Sequence, residues 1–313
     1  MVKSKSDIPG ANPKLDLEPD LDASSSRTTT MKPLKAKRRG SSKSWLKDFA
    51  VGAMWWVLSI GLFIGIWEVA AAMGWVNTLI LPPPHEFLAE IANQQQFLAP
   101  KIGVERTGAN FVALTAIVAT LKRVLSGLFL GFIVSLVVGC LASYFKIFGK
   151  LTLPVMTLLA PIAPVAWIPF AILAFGIGDG AAVFVVFIGV FFILTLATVN
   201  SINKVDQLYI NTARVLGASR SQVMRHIIIP AIIPDLFTIL RLNLFGAWMA
   251  VLAAEMVGVN TGLGAIVMVG RQMFNPKLMF LGMAMIGVIG YLLDLGFAQV
   301  QKRVLWWKSN SQI

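Results

Sequence analysis

Four ionisable side chains, Glu68, Arg241, Glu255 and Asp294, stand inside long apolar runs of this 313-residue sequence. Charge at such depth in lipid is costly, so each is a candidate for function. The groups that enzymes use are otherwise sparse. The chain holds two histidines, His85 and His226, and one cysteine, Cys140. Neither His-Glu-x-x-His nor Gly-x-Ser-x-Gly occurs, so no catalytic residue and no metal site is expected. Cys140 lies in an apolar run and reads as a small buried hydrophobe that forms no disulfide within the chain. His85 follows three prolines and reads as an exposed helix start. "GIGDG" at 176–180 superficially resembles a phosphate loop, but no strand precedes it and no Gly-Lys-Ser/Thr follows. It reads as a turn, which leaves the chain no means of its own to bind and hydrolyse ATP.

The elements that must position these residues are membrane helices. The sequence is 57% hydrophobic and 13% charged, with mean hydropathy +0.75, whereas soluble domains are about a quarter charged. Runs that meet the length of about 20 apolar residues needed to span a bilayer lie near 51–73, 113–143, 152–175, 181–199, 235–257 and 278–300. The expected fold is therefore all-α, with six spans. Lys122 and Arg123 sit near the start of the second, whose lipid part should run over about 124–143. The net charge of +12 is a matter of topology. Of the 27 Lys and Arg, eleven precede or include Lys47, two lie in 144–150, four in 200–230 and three after Gln301. The loops on the other side carry Lys101, Arg106, Arg271 and Lys277. The positive-inside rule then makes both termini and the 200–230 loop cytoplasmic. Nothing in the pattern reads as a nucleic-acid surface.

Residues 1–44 are rich in Ser, Thr, Pro, Lys and Asp, and read as a disordered cytoplasmic tail. Residues 45–109 hold the first span, then three prolines, then an amphipathic helix at the outer surface marked by Phe87, Leu88, Ile91, Phe97 and Leu98. A core follows over 110–305, and 306–313 form a cytoplasmic tail. The third span contains Pro154, Pro161, Pro164 and Pro169, which should kink it and pack it inside the bundle, where neighbours can satisfy the freed carbonyls. Tolerated irregularity is the alternative to a helix that lines or gates a path, Trp167 included. On the fifth span Arg241, Phe245, Trp248, Leu252 and Glu255 recur at steps of four and three on one helix face. Arg241 offers planar donors suited to an oxyanion, and Glu255 lies about 21 Å farther along, too distant to neutralise it. Asp294 stands at a matching depth, about 10–12 Å from the cytoplasmic end of its helix. A structural Arg241–Asp294 pair is thus the competing reading, while Glu68 and Glu255 fall near the outer ends.

The polar stretch "NTARVLGASRSQVMRHIIIPAIIP", 211–234, interrupts the apolar runs. It reads as a helix, a bend at Gly217, and a second helix with Val223, Ile227 and Ile228 on one side and Arg220, Arg225 and His226 exposed, ended by Pro230. Such a surface makes a docking knob. It closely resembles the cytoplasmic loop of ABC importer permeases: Glu-Ala-Ala, three residues, Gly, nine residues, Ile, one residue, Leu-Pro. Asn211-Thr212-Ala213, Gly217, Ile227 and Ile229-Pro230 stand at those positions. The departures are Asn211 for Glu, Thr212 for Ala and Ile229 for Leu. Losing the acidic residue puts a salt bridge to the ATPase at that point in question. "TLKRVLSGLFLG", "PIAPVAWIPFAILAFGIGD" and "GAWMAVLAAEMVGVNTGLGAIV" extend the likeness over roughly 110–305, to the nitrate/sulfonate/bicarbonate group. The run from Trp248 to Met256 further resembles cyanobacterial nitrate and bicarbonate members.

The resemblance implies the ABC importer type I permease fold, in a bacterial inner membrane, with nitrate or nitrite as leading solute ahead of bicarbonate and alkanesulfonates. It implies a second permease copy and two ATPase subunits, identical or not, that bind ATP and Mg. It also implies a periplasmic or lipid-anchored substrate-binding protein. Coupling to the ATPases would fall to Asn211, Thr212, Ala213, Gly217, Ala218, Ser219, Arg220, Ile227 and Pro230. The path would fall to Arg241, Phe245, Trp248, Glu255, Trp167 and Asp294. A secondary anion transporter or channel would explain six spans and buried charges, but not the polar loop with its glycine and Ile-Pro. A membrane enzyme would need a catalytic cluster.

Overall fold

The computed structural model describes residues 42–75, 77–89 and 112–306. Most of the 1–44 tail, the residues Ile91, Phe97 and Leu98, and 307–313 lie outside the described residues. Among the described residues every regular element is a helix. In order they are α1 (Ser42–Ala72), α2 (Pro84–Ala89), α3 (Val112–Tyr144), α4 (Lys146–Leu159), a 3-10 turn (Pro164–Trp167), α5 (Ile168–Phe175), α6 (Asp179–Asn203), α7 (Gln207–Val215), α8 (Arg220–Val223), a π turn (Met224–Ile228), α9 (Ile229–Gly258), α10 (Leu263–Gln272) and α11 (Pro276–Val304). The chain divides into two units, Met1–Leu58 and Ser59–Ile313. The first contains the start of α1, where Met54, Trp55, Trp56 and Val57 are all exposed.

Among the described residues five stretches are long and apolar enough to cross a membrane: Met54–Ala72, Ala113–Tyr144, Asp179–Asn203, Arg220–Gly258 and Pro276–Val304. A further helix pair, Lys146–Leu159 with Pro164–Phe175, is apolar enough to cross as a broken span or to dip in as a re-entrant loop, and is bent by 100°. Its cause is local. Pro164 disfavours the helical region for the residue before it, and Ala163 is extended, with φ −56° and ψ 137°. Pro154 is accommodated inside α4, and Pro169 falls in the first turn of α5, where no donor is needed. The kink matches expectation, but the enclosure does not. Only Gly149 of α4 and Ile168 and Ala171 of α5 are buried, so within one chain this span lies at the edge.

The core is built where α3, α6 and α9 meet, around Val124, Leu128, Val186, Val190, Leu194, Leu244 and Val251. Their close approach depends on small residues, the usual device for packing helices in lipid. A Cβ at Gly127 would stand 2.6 Å from Val186, and one at Gly139 2.6 Å from Thr198. Thr195 and Thr198 of α6 are fully buried, and each hydroxyl donates to a carbonyl one turn back, so no polar atom is stranded there. Cys140, expected to be buried, is half-buried on α3.

The fifth span starts earlier than its apolar run at 235 suggested. Pro230 does not end the helix of the polar loop. The chain stays helical from Arg220 to Gly258, and the π turn just before Pro230, closed by Ile229 N donating to Met224 O, absorbs the hydrogen bond that the proline cannot make.

Candidate functional site

The polar loop is built on a small apolar cluster of its own. Ile210 of α7, Val223 of α8, Ile228, and Ile232 and Leu236 of α9 pack together, with Ala213, Ala218 and Met224 against them. Asp206 caps α7 by accepting from Leu208 N at 2.9 Å. Gly217 then turns the chain at φ +82°, a left-handed conformation open to glycine and costly for other residues. Ala218 N donates to Ala213 O at 3.0 Å across this bend. Ser219 starts α8 with a capping box: its Oγ accepts from Gln222 N, and Gln222 Oε1 accepts from Ser219 N at 2.8 Å. Asn211, Thr212, Ser219, Arg220 and Pro230 are exposed, and Ala213, Ala218 and Ile227 are half-buried. Of the three apolar residues expected on the inner side, Val223 and Ile228 are buried and Ile227 only partly. Arg220 does not hang free. Its Nη2 donates to Tyr144 O at 2.7 Å, and its guanidinium lies 4.6 Å from the centre of the Tyr144 ring. This ties the loop to the end of α3. The tip is apolar instead: Leu208, Tyr209, Val215 and Leu216 all project, Leu216 with 82% of its surface exposed.

The face proposed along the fifth span divides in two. Arg241 and Phe245 reach the surface, whereas Trp248, Leu252 and Glu255 lie inside the chain's own core. Trp248 packs on Gly290 of α11, where a Cβ would stand 2.9 Å from its Nε1. Arg241 forms a two-pronged pair with Asp294: Nε donates to Oδ1 and Nη2 to Oδ2, both at 2.9 Å. The expected ion pair therefore exists. Arg241 nevertheless keeps 41% of its side chain exposed. Trp167 is half-buried between Phe170 and Phe192, and its Nε1 makes no hydrogen bond.

Glu255 belongs to a second, more deeply buried network at the other end of α9. It is 1% exposed and accepts from Thr120 Oγ1 at 2.8 Å, Arg123 Nη1 at 2.5 Å and Gly264 N at 2.9 Å. Arg123 is 3% exposed. Its Nε donates to Asp179 Oδ1 at 2.7 Å, Nη1 also to Thr261 O at 2.7 Å, and Nη2 to Thr261 Oγ1 at 2.6 Å. Thr120 Oγ1 accepts from Leu263 N at 3.0 Å. The turn from α9 to α10 is wrapped around this carboxylate, and Gly262, at φ +115°, has no room for a Cβ beside it. Nearer the surface, Glu68 of α1 accepts from His85 N at 3.1 Å and lies 2.8 Å from His85 Nδ1, so the helix start expected at His85 is tied to a carboxylate.

Residues 127–306 match the family described as Binding-protein-dependent transport system inner membrane component. The chain belongs to that family. The permease is 31% identical to a putative ABC transporter permease protein of Methanocaldococcus jannaschii, over 79% of this chain and 89% of that one. It is 28% identical to the taurine transport system permease protein TauC of Escherichia coli K12, over 82% and 91%. It is 30% identical to the bicarbonate transport system permease protein CmpB of Synechococcus elongatus, over 87% and 97%. The taurine and bicarbonate permeases match the nitrate/sulfonate/bicarbonate group that the motifs resemble. In fold it is similar to a chain of the MetNI methionine ABC transporter solved in an inward-facing conformation. The TM-score there is 0.51 at 20% identity, covering 61% of this permease and 95% of that chain. A crystal structure of an amino acid ABC transporter with histidines gives a TM-score of 0.52 at 16% identity, covering 70% and 96%. At these identities the likeness concerns the fold.

The sequence had exposed the Arg241–Asp294 pair by matching depth but missed the partners of Glu255. Arg123 falls just outside the expected lipid part of its span, so sequence alone does not offer it to a buried acid, although it is 3% exposed. A depth count from the outer ends of α3 and α9 does not pair them, because Arg123 stands about 16 Å along α3 from Val112 and Glu255 only about 5 Å from Gly258. Asp179 was hidden inside "GIGDG", which is a turn, as expected, up to Gly178; there α6 begins.

Proposed function

We propose that this permease is the membrane-spanning subunit of an ATP-driven importer for a small oxyanion, with nitrate or nitrite as first candidate. The observation that carries the anion reading is the state of Arg241. Asp294 engages its Nε and Nη2, and among the described residues Nη1 makes no bond. A partly exposed guanidinium with an unused planar donor, beside the exposed Phe245, suits an oxyanion. The path would run along this side of α9 and past Trp167, with Asp294 holding the guanidinium in place. Trp248 and Glu255 would support that path from within. The bicarbonate relative favours a second reading, bicarbonate itself, and the taurine relative a third, an alkanesulfonate.

In this reading both termini and the polar loop are cytoplasmic. Two permease copies would assemble, covering apolar surface such as Leu242, Met249 and Phe170 that one chain leaves exposed. The tip formed by Leu208, Tyr209, Val215 and Leu216 would insert into a groove on each of two ATPase subunits, identical or not, which would bind ATP and Mg. A periplasmic or lipid-anchored binding protein would deliver the solute. The test is uptake of labelled nitrate by proteoliposomes holding the full assembly, with bicarbonate and ethanesulfonate as competitors. Arg241→Gln should lower nitrate uptake about tenfold, the worth of one hydrogen bond to a charged group. Normal uptake in Arg241→Gln combined with Asp294→Asn would mean that the pair is structural and the anion path lies elsewhere.

A further inference from the structure

Neither the pair at Arg241 nor the network at Glu255 accounts for Lys122. It lies beside Arg123 on α3, in a helix that is otherwise apolar, and is exposed. Among the described residues it pairs with no carboxylate. It lines a half-open pocket of about 420 Å3 together with Asp179, Ser126, Val118 and Val183, a volume within the range of roughly 300–1,000 Å3 of small-ligand sites. Asp179 directs Oδ1 to Arg123, its Oδ2 takes no hydrogen bond among the described residues, and 76% of its side chain is exposed. Arg123 lines the pocket too, but its guanidinium is spent on Glu255, Thr261 and Asp179 Oδ1, so what the pocket offers a ligand is the Lys122 ammonium and the Asp179 Oδ2 oxygen.

That combination selects among ligands. A simple anion on Lys122 would leave Asp179 Oδ2 without a donor, and a simple cation on Asp179 would meet the Lys122 and Arg123 charges. A ligand bearing both charges on a short link satisfies both side chains, and the apolar walls at Val118 and Val183 suit the carbons between them. Position adds a second constraint. Asp179 is the first residue of the α6 span, so the pocket lies level with the end of a membrane helix, where lipid headgroups meet water.

We propose that this pocket binds a zwitterion in which an ammonium is joined by two carbons to a phosphate ester. The phosphate would rest on Lys122 Nζ and Ser126 Oγ and the ammonium on Asp179 Oδ2. An ethanolamine phospholipid headgroup and the same group free in solution share this chemistry. The proposal stands on the pocket alone and does not depend on the import reading.

The test uses the permease assembled with its ATPases in two preparations. In phosphatidylglycerol nanodiscs, which supply phosphate without ammonium, soluble sn-glycero-3-phosphoethanolamine is titrated calorimetrically. In nanodiscs containing phosphatidylethanolamine, retained lipid is counted by native mass spectrometry. The wild type should bind at least one probe: the soluble one if the free zwitterion is the ligand, the lipid alone if the acyl chains are needed. Lys122→Gln and Asp179→Asn should each weaken that binding about tenfold, as loss of a charge-assisted hydrogen bond does. Asparagine keeps Oδ1 for Arg123, so folding should survive. Val118→Phe, at an exposed position, narrows the pocket without touching either charge and should give the same loss. Binding of neither probe, binding unchanged in the three variants, or loss in Lys122→Gln with none in Asp179→Asn would overturn the proposal; the last result would mark a plain anion site. Solute uptake by the same assemblies, measured in parallel, separates this outcome from failure of the import reading.

Discussion

Replacing Glu255 by Gln keeps the shape of the buried network and removes its central charge. In the native chain the carboxylate takes hydrogen bonds from Thr120, Arg123 and Gly264, and it is Arg123 that the change leaves short of a counter-charge. Breaking a buried ion pair by removing one partner costs about 3–5 kcal/mol. Arg123 retains Asp179 and the carbonyl of Thr261, so the lower end, about 3 kcal/mol, is expected. Asp179→Asn removes the other counter-charge of the same guanidinium. That side chain is 76% exposed, and a solvated pair is worth under about 1 kcal/mol. Burial and not formal charge thus sets the order of the two variants. Reversible unfolding in mixed micelles on titration with SDS, followed by the fluorescence of the nine tryptophans, measures both. Equal losses, or a larger loss in Asp179→Asn, would refute the claim that Glu255 is the buried anchor of α3 and α10.

Gly217→Val places a β-branched residue at φ +82°, a strain of about 1–3 kcal/mol confined to the loop. Membrane insertion should be normal and ATP-driven uptake lost; uptake at the wild-type rate would show that the bend does not couple. Rigorously purified permease without its partners should hydrolyse no ATP, and hydrolysis should appear on adding the ATPase subunits. A signal from the pure chain in a coupled phosphate assay would contradict this.

What could be seen in advance depended on how local its cause was. The long helices were legible because lipid imposes a run of apolar residues, and the loop bend because Gly217 interrupts a polar helix at a spacing the family shares. The break at Ala163 and Pro164 was legible as a kink, since one peptide unit causes it, but not as a peripheral element, because enclosure depends on which neighbours are present. Pro230 stands inside a continuous helix because the π turn before it absorbs the lost hydrogen bond, a tertiary adjustment that residue types do not announce, and the helix start moves upstream to Arg220. The division of the α9 face was hidden for a tertiary reason. Periodicity puts Arg241 and Glu255 on one side, whereas α3 and α10 cover only the far half of that side. Helix α10 itself is ten residues long, too short to register as a span.

The central claim is that this chain forms a passage that opens only under the drive of partner ATPases. The most direct measurement is time-resolved uptake of labelled nitrate and bicarbonate into proteoliposomes containing the permease alone, or with its ATPases and binding protein, with ATP or a non-hydrolysable analogue. The account predicts accumulation of one of these anions against its gradient in the full assembly with ATP, and none in any other condition. Gradient-driven uptake by the permease alone, unchanged by ATPases and ATP, would contradict it and identify a secondary transporter.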